Sequence, residues 1–356
     1  MSARDTTRTV RKGEELNAVN LKHFLLSNGL AADEKSELNI RQFSNGFSNL
    51  TYLIAIEKNE YVLRRPPFAA PKRGHNMGRE FKVLDSLQKV FDKTPKVYAY
   101  TEDLEILGVP FYIMGKVDGI ILTDAEVGHR HITPPEFATI ANTWLDTFVA
   151  LHAVDYKSAG LETLGRPEGY VERQVENWGK QYLAAATDEV PTAQKVMTWL
   201  QANQPTSYQH SLIHNDYKYD NVVFKDDQWN EIAAILDWEM CTLGDPLMDL
   251  GTSLAYWTTA TDKKHGLSPT TALEGNPTRS EIVQKYALKS GRNIDHLTFY
   301  FAYGFFKIAV IVQQIYYRYK HGHTKDPRFA ELDKIAVLCC DSAWQAIQKN
   351  RIDDLY

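Results

Sequence analysis

Cysteine is nearly absent: Cys241 and the adjacent pair Cys339 and Cys340 are the only three in 356 residues, and none has metal-ligand spacing. An odd set of this kind excludes a disulfide framework and a cysteine-built zinc site, and it points to a reducing, cytoplasmic setting. A basic block is also missing. With 40 Lys and Arg against 45 Asp and Glu the formal charge is -5, which argues against a nucleic-acid partner. No apolar run follows Arg4, Arg8, Arg11 and Lys12, so a secretory signal is not expected. That arm reads as frayed; an organellar presequence is the alternative, against which Glu14 and Glu15 arrive early. No uninterrupted apolar stretch is long enough to cross a bilayer. Lys307, Gln313 and Gln314 interrupt the most apolar region, Phe299 to Ile315, which reads as a buried core helix, and no membrane partner is expected. What is present, 44% apolar residues, suffices for substantial cores in about two domains.

The chain is organised around Leu212 to Met240. Val222 to Phe224 and Ile232 to Leu236 are β-rich runs joined by the polar turn Lys225 to Gln228, which makes a hairpin. Asn221 and Asp237 are equidistant from Trp229; in simple register they face each other with Cα atoms about 5 Å apart, so two hard oxygen ligands reach one cation. Asp216 lies in the loop before the first strand, after His214 and Asn215, and is free to orient a hydroxyl. A loop carboxylate, an Asn a short step later and an Asp closing the returning strand form the set that phosphoryl transfer requires.

His214-Asn215-Asp216, then Asn221, then Asp237-Trp238, resembles the catalytic and metal-binding loops of the aminoglycoside phosphotransferase and choline kinase group of kinase-like enzymes, with H-N-D where H-G-D is usual. The run Gly165 to Val175 resembles the subgroup found beside, or fused to, acyl-CoA dehydrogenases, and the order of motifs carries the resemblance from about residue 12 to 345. The fold this implies is α+β and two-lobed: an N-lobe over 1–114 with a five-stranded antiparallel sheet and a helix, a hinge at 115–119, and a helical C-lobe over 120–356. The periodicity agrees. Strands are expected at Leu38 to Phe43, Leu50 to Ile56, Tyr61 to Arg64, Pro95 to Tyr100 and Pro110 to Met114, with helices over Glu14 to Ser27 and Met77 to Phe91.

The resemblance assigns roles residue by residue. ATP is the phosphoryl donor and Mg²⁺ its metal, held by Asn221 and Asp237, while Asp216 is catalytic. The glycine-centred connection with Asn45, Gly46, Phe47 and Ser48 covers the phosphates, and the backbone at Met114, Gly115 and Val117 meets the adenine edge. Arg64 stands where most kinases carry Lys and grips the phosphates, with Glu80 holding it; Arg65 is the competing assignment. Asp245 ahead of Pro246 reads as a structural helix cap.

The expected activity is transfer of the γ-phosphoryl group of ATP to a hydroxyl of a small molecule. A pseudokinase that binds nucleotide and regulates a partner is the alternative, and a metal-dependent phosphohydrolase would want further ligands near Asp216 that the sequence does not offer. At 100° per residue, Tyr300, Tyr303, Lys307, Gln314, Arg318 and His321 gather on one side of the helix between Asp295 and His321. The stripe faces either solvent or the cleft. In the cleft it favours an acceptor with a negative, partly apolar handle, and with the resemblance it suggests a hydroxyacyl thioester of coenzyme A and a functional link to an acyl-CoA dehydrogenase.

Overall fold

The computed structural model describes residues 7–43, 49–67, 76–262, 267–324 and 326–356. The N-terminal part is an antiparallel sheet built from β1 (Thr7–Arg8), β2 (Leu38–Phe43), β3 (Leu50–Ile56), β4 (Asn59–Arg65), β5 (Val97–Thr101) and β6 (Phe111–Gly115). Its order is β1-β2-β3-β4-β6-β5, six strands rather than five. The extra strand comes from the arm expected to fray: Thr7 pairs with Phe43 and Arg8 with Gln42, and the Arg41 guanidinium donates to the Thr7 carbonyl at 2.9 Å. Helix α1 (Ala18–Ser27) starts later than its apolar pattern suggests, because the Asn17 side chain accepts from the Asn20 amide and caps it. With Leu21 and Leu25 it covers one face of the sheet, over Tyr52, Ile54, Leu63 and Phe111. Helix α2 (Met77–Leu87) covers the other, burying Val83, Leu84 and Leu87. It stops at Leu87, whose carbonyl takes the amides of Val90 and Phe91.

After α3 (Leu104–Leu107) and β6 the chain passes through Lys116, which pairs with Glu60 at 2.5 Å, into β7 (Ile120–Ile121). Helices α4 (Asp124–His129), α5 (Pro134–His152), α6 (Tyr170–Ala185) and α7 (Pro191–Ala202) follow. Then come β8 (Ser211–Ile213), β9 (Val222–Phe224), β10 (Ile232–Ile235) and β11 (Thr242–Gly244). The hairpin β9/β10 is extended by β7, and β8 pairs with β11. The remainder is α8 (Pro246–Tyr256), α9 (Arg279–Ser290), α10 (Leu297–Lys320) and α11 (Leu332–Lys349). Asp245 caps α8 as its sequence suggests, accepting from the Leu247 amide at 2.9 Å with Pro246 in the first turn.

Among the described residues α10 is the one helix long and apolar enough to cross a membrane, and most of its apolar window is buried against α8, α11 and α6. Its crossing with α8 is made by two glycines. A Cβ on Gly304 would collide with the Gly251 carbonyl, and one on Gly251 with the Tyr300 carbonyl, so the helices meet backbone to backbone. That closeness divides the polar stripe. Tyr300, Tyr303 and Lys307 are buried, Lys307 against the Asn215 carbonyl, whereas Arg318 and His321 are exposed at the far end.

Candidate active site

The hairpin does not keep simple register. Ile232 pairs with Phe224 but Ala234 with Val223 and Ile235 with Val222, a bulge that shifts the returning strand. The Asn221 carbonyl therefore takes the Leu236 amide at 2.7 Å, and Asp237 falls one residue beyond the position opposite Asn221. Asn221 closes a short 3₁₀ turn, Tyr219–Asn221, while Asp237 is left-handed with φ 63° and opens another, Trp238–Met240. Asp tolerates that conformation better than most residues. The bulge and the turn aim the Asp237 carboxylate at the N-terminal sheet rather than along the strand.

There it meets Arg64. The guanidinium donates to Glu80 Oε1 at 2.5 Å and to Asp237 Oδ1 at 2.8 Å, with Glu239 Oε2 at 3.9 Å. Burial opposes the charge on Arg64, but Glu80 and Asp237 outweigh it and hold its pKa well above the usual arginine value. Burial likewise raises Glu80 against the pull of Arg64. At Asp237 the guanidinium wins over burial and the carboxyl lies below its ordinary value. Arg65 points to the opposite face of the sheet, among Tyr52 and Glu14, so Arg64 is the cation of the cleft.

Asp216 is fixed from three sides. Its backbone amide donates to His214 Nδ1 at 3.2 Å, Asn221 Nδ2 donates to its Oδ2 at 2.7 Å, and Lys218 Nζ lies 3.3 Å from the same oxygen. Burial works against the Lys218 ammonium, yet Asp216, Tyr256 and Asp220 keep its pKa above the usual lysine value. Burial lowers the pKa of His214, which favours a neutral ring that accepts at Nδ1 and donates from Nε2 to the Leu236 carbonyl at 2.9 Å. Asn215 is left-handed, φ 69°, which explains how H-N-D serves where H-G-D is usual: Asn is among the few side chains that accept this region.

Asp249 on α8 holds the loop's backbone, taking the amides of His214 at 2.6 Å and Asn215 at 2.8 Å. Lys307 on α10 holds it from below, donating to the Asn215 carbonyl at 2.6 Å. Burial pulls Lys307 down to about 8 despite Asp249 and Asp216. Below that pH both folded and unfolded chains carry the proton and the burial cost is full. Between about 8 and the ordinary 10.5 only the unfolded chain is protonated, so stability rises with pH. Relative to Lys307→Met, the native chain is expected to gain about 2 kcal/mol from about pH 7 to about pH 9.5. Urea unfolding of both proteins at the two pH values checks this; a constant difference would contradict it.

The donor set suits Mg²⁺. Asn221 spends its amide nitrogen on Asp216, Asp237 spends only Oδ1 on Arg64, and the remaining oxygens are hard ligands of the kind Mg²⁺ takes beside phosphates and water. Among the described residues no group of three or more His, Cys, Asp or Glu forms an all-protein cage. Met114 is buried in β6, paired with Val62 and Val97, and Gly115 and Val117 are half-buried after it. Asn45, Gly46, Phe47 and Ser48 lie outside the described residues.

Several groups at the site escaped the sequence reading. Lys218 is one, although its place two residues after Asp216 was a usable signal. Asn49 Nδ2 donates to Glu239 Oε2 at 2.7 Å, linking the approach to β3 with the turn after Asp237. Arg79 on α2 reaches across the cleft to the carbonyls of Cys241 at 2.5 Å, Glu239 at 3.3 Å and Leu164 at 3.5 Å. No local pattern announces such a reach.

A family model described as the phosphotransferase enzyme family matches residues 39–268. Acyl-CoA dehydrogenase family member 11 of Rattus norvegicus is 36% identical over 301 residues, 83% of this chain and 38% of that protein, so the chain spans little more than a third of this relative. A provisionally named aminoglycoside phosphotransferase of Ralstonia eutropha superposes with a TM-score of 0.79 at 30% identity, covering 94% of this chain and 99% of that one. Choline kinase of Cryptosporidium parvum shares the fold, with a TM-score of 0.61 at 12% identity over 94% and 97% of the two chains.

Proposed function

Since this chain belongs to the phosphotransferase enzyme family, we propose that it moves the γ-phosphoryl group of ATP to a hydroxyl group of a small molecule. The observation that carries the reading is the convergence of Arg64, Glu80 and Asp237 on one side of a cleft with Asp216, Lys218 and Asn221 on the other. Such a site works by positioning and by charge neutralisation. Arg64, braced by Glu80, engages phosphate oxygens through its planar fork. Asn221 and Asp237 hold Mg²⁺, which when bound neutralises charge on the phosphates. The backbone at Met114, Gly115 and Val117 receives the adenine edge.

Asp216 Oδ orients the acceptor hydroxyl and takes its proton as the oxygen bonds to the γ-phosphorus and ADP departs. Lys218, beside that carboxylate, offsets charge on the phosphoryl oxygens in flight. A pseudokinase that only binds nucleotide has no need of a carboxylate to orient a hydroxyl; retention of Asp216 beside Asp237 favours turnover.

The acceptor we favour is a hydroxyacyl thioester of coenzyme A, with a functional link to an acyl-CoA dehydrogenase. Similarity to a protein named as a member of the acyl-CoA dehydrogenase family supports this. The direct comparison is ADP release with hydroxyacyl-CoA, choline and kanamycin at matched concentrations. Turnover with the thioester alone is expected. Turnover with either cationic alcohol and none with the thioester would sink the acceptor class; nucleotide binding without ADP release under any condition would favour the pseudokinase.

A further inference from the structure

We infer that a cationic cavity beside the catalytic loop binds the anionic group, a phosphate or a carboxylate, of the acceptor molecule. The inference rests on the phosphoryl-transfer reading for the identity of the ligand, but not for the site. The cavity has a volume of about 240 Å³ and opens between the segment before α6, the first turns of α6, β11 and the middle of α10. Arg166, Arg173 and Lys307 line it together with Gln174, Tyr170 and Thr242, and no carboxylate among the described residues does.

Neither arginine is paired with an acid among the described residues. Arg173 spends its guanidinium on two backbone carbonyls, those of Arg166 and Glu168. Arg166 is exposed, and among the described residues no carboxylate pairs with it. The nearby acids are engaged elsewhere: Asp249 with the amides of His214 and Asn215, Asp216 with Asn221 and Lys218, Glu239 with Asn49. The Arg166 fork, with the Arg173 charge and the buried Lys307 ammonium beside it, forms an anion site, because an arginine fork matches planar and tetrahedral oxyanions.

The cavity is held in place by its backbone. A Cβ on Gly165 would collide with Thr242 Oγ1, so the chain lies directly on β11 and Arg166 follows at a fixed point. Gly169, left-handed with φ 64°, then turns the chain into α6 and sets Arg173 one turn on. The far wall is Asn215, whose carbonyl Lys307 holds and whose neighbour is Asp216. Asn215, which the cavity meets, is the residue next to Asp216 in the chain. Its volume of about 240 Å³ admits a phosphate or carboxylate group together with part of the stem that carries it. Of the polar stripe on α10, only Lys307 reaches it.

The test is calorimetry on the full chain, with Mg²⁺ and a non-hydrolysable ATP analogue present so that the nucleotide cleft does not take the probe. Inorganic phosphate is titrated in one arm and acetate in the other. We expect one ion to bind and its affinity to fall about tenfold in Arg166→Ala and in Arg173→Gln. Phosphate binding assigns the subsite to a phosphate source and acetate binding to a carboxylate. Arg173 also supports its own loop, so Arg166→Ala, which removes no hydrogen bond, is the variant that decides. Binding of neither ion, or equal binding by the native chain and Arg166→Ala, overturns the inference. Ion binding lost in the variants without ADP release from any acceptor would keep the subsite and discard the transferase reading. Turnover without ion binding would do the reverse.

Discussion

Asp216→Ala is expected to bind Mg²⁺-ATP almost as the native chain does and to transfer its phosphoryl group about 10³-fold more slowly. Asp237→Ala is expected to lose nucleotide affinity and turnover together. The difference follows from which groups each carboxylate touches. Asp216 accepts from the Asn221 amide nitrogen through its carboxylate and also through its backbone carbonyl, which the variant keeps, so the Asn221 oxygen retains its orientation for the metal. Asp237 is bonded to Arg64 itself, so its removal takes away a metal ligand and also leaves the guanidinium with Glu80 as its short contact. Calorimetric titration of Mg²⁺-ATP into both variants, with ADP release beside it, separates the roles. Equal loss of nucleotide affinity in the two would contradict them.

Arg64→Ala should be the most destabilising single change at the cleft, by about 3 kcal/mol, since removing one member of a buried ion pair leaves the other uncompensated. Glu80 is the member left behind, 1% exposed and already pushed upward by burial. Nucleotide affinity should fall as well. Arg64→Lys should recover part of both, because the charge persists while the fork that reaches Glu80 and Asp237 at once is lost. Arg65→Ala should cost stability on the far face of the sheet and leave nucleotide affinity unchanged. Thermal unfolding with calorimetric titration of ATP measures both quantities. Loss of nucleotide binding in Arg65→Ala but not in Arg64→Ala would put the wrong arginine in the cleft.

Much of this site could be read from residues close together in the chain. Asp216, Asn221 and Asp237 share one loop and one hairpin, so their spacing alone limited where they could be. Arg64 was separable from Arg65 only by which face of β4 each takes, and that depended on the sheet's register. The bulge between Ile232 and Ala234 was hidden because a one-residue irregularity leaves the apolar pattern of both strands intact. The pairing of Thr7 with Phe43 was hidden for another reason: a two-residue strand has no periodicity to read. Arg79, Glu239 and the Lys307 contact with Asn215 join residues separated by 92 to 190 positions or meet backbone atoms, and neither kind of contact leaves a local signature.

The glycine crossing of α8 and α10 bears on the chemistry from a distance. Asp249 rides on α8 and Lys307 on α10, and both grip the backbone of Asn215, one at its amide and the other at its carbonyl. The two helices are thus the jaws of a caliper closed on a single residue, and Gly251 and Gly304 set its zero. The tolerance of the loop that carries Asp216 is machined into the hydrophobic core, where a single added methyl would be read at that carboxylate without touching any ligand.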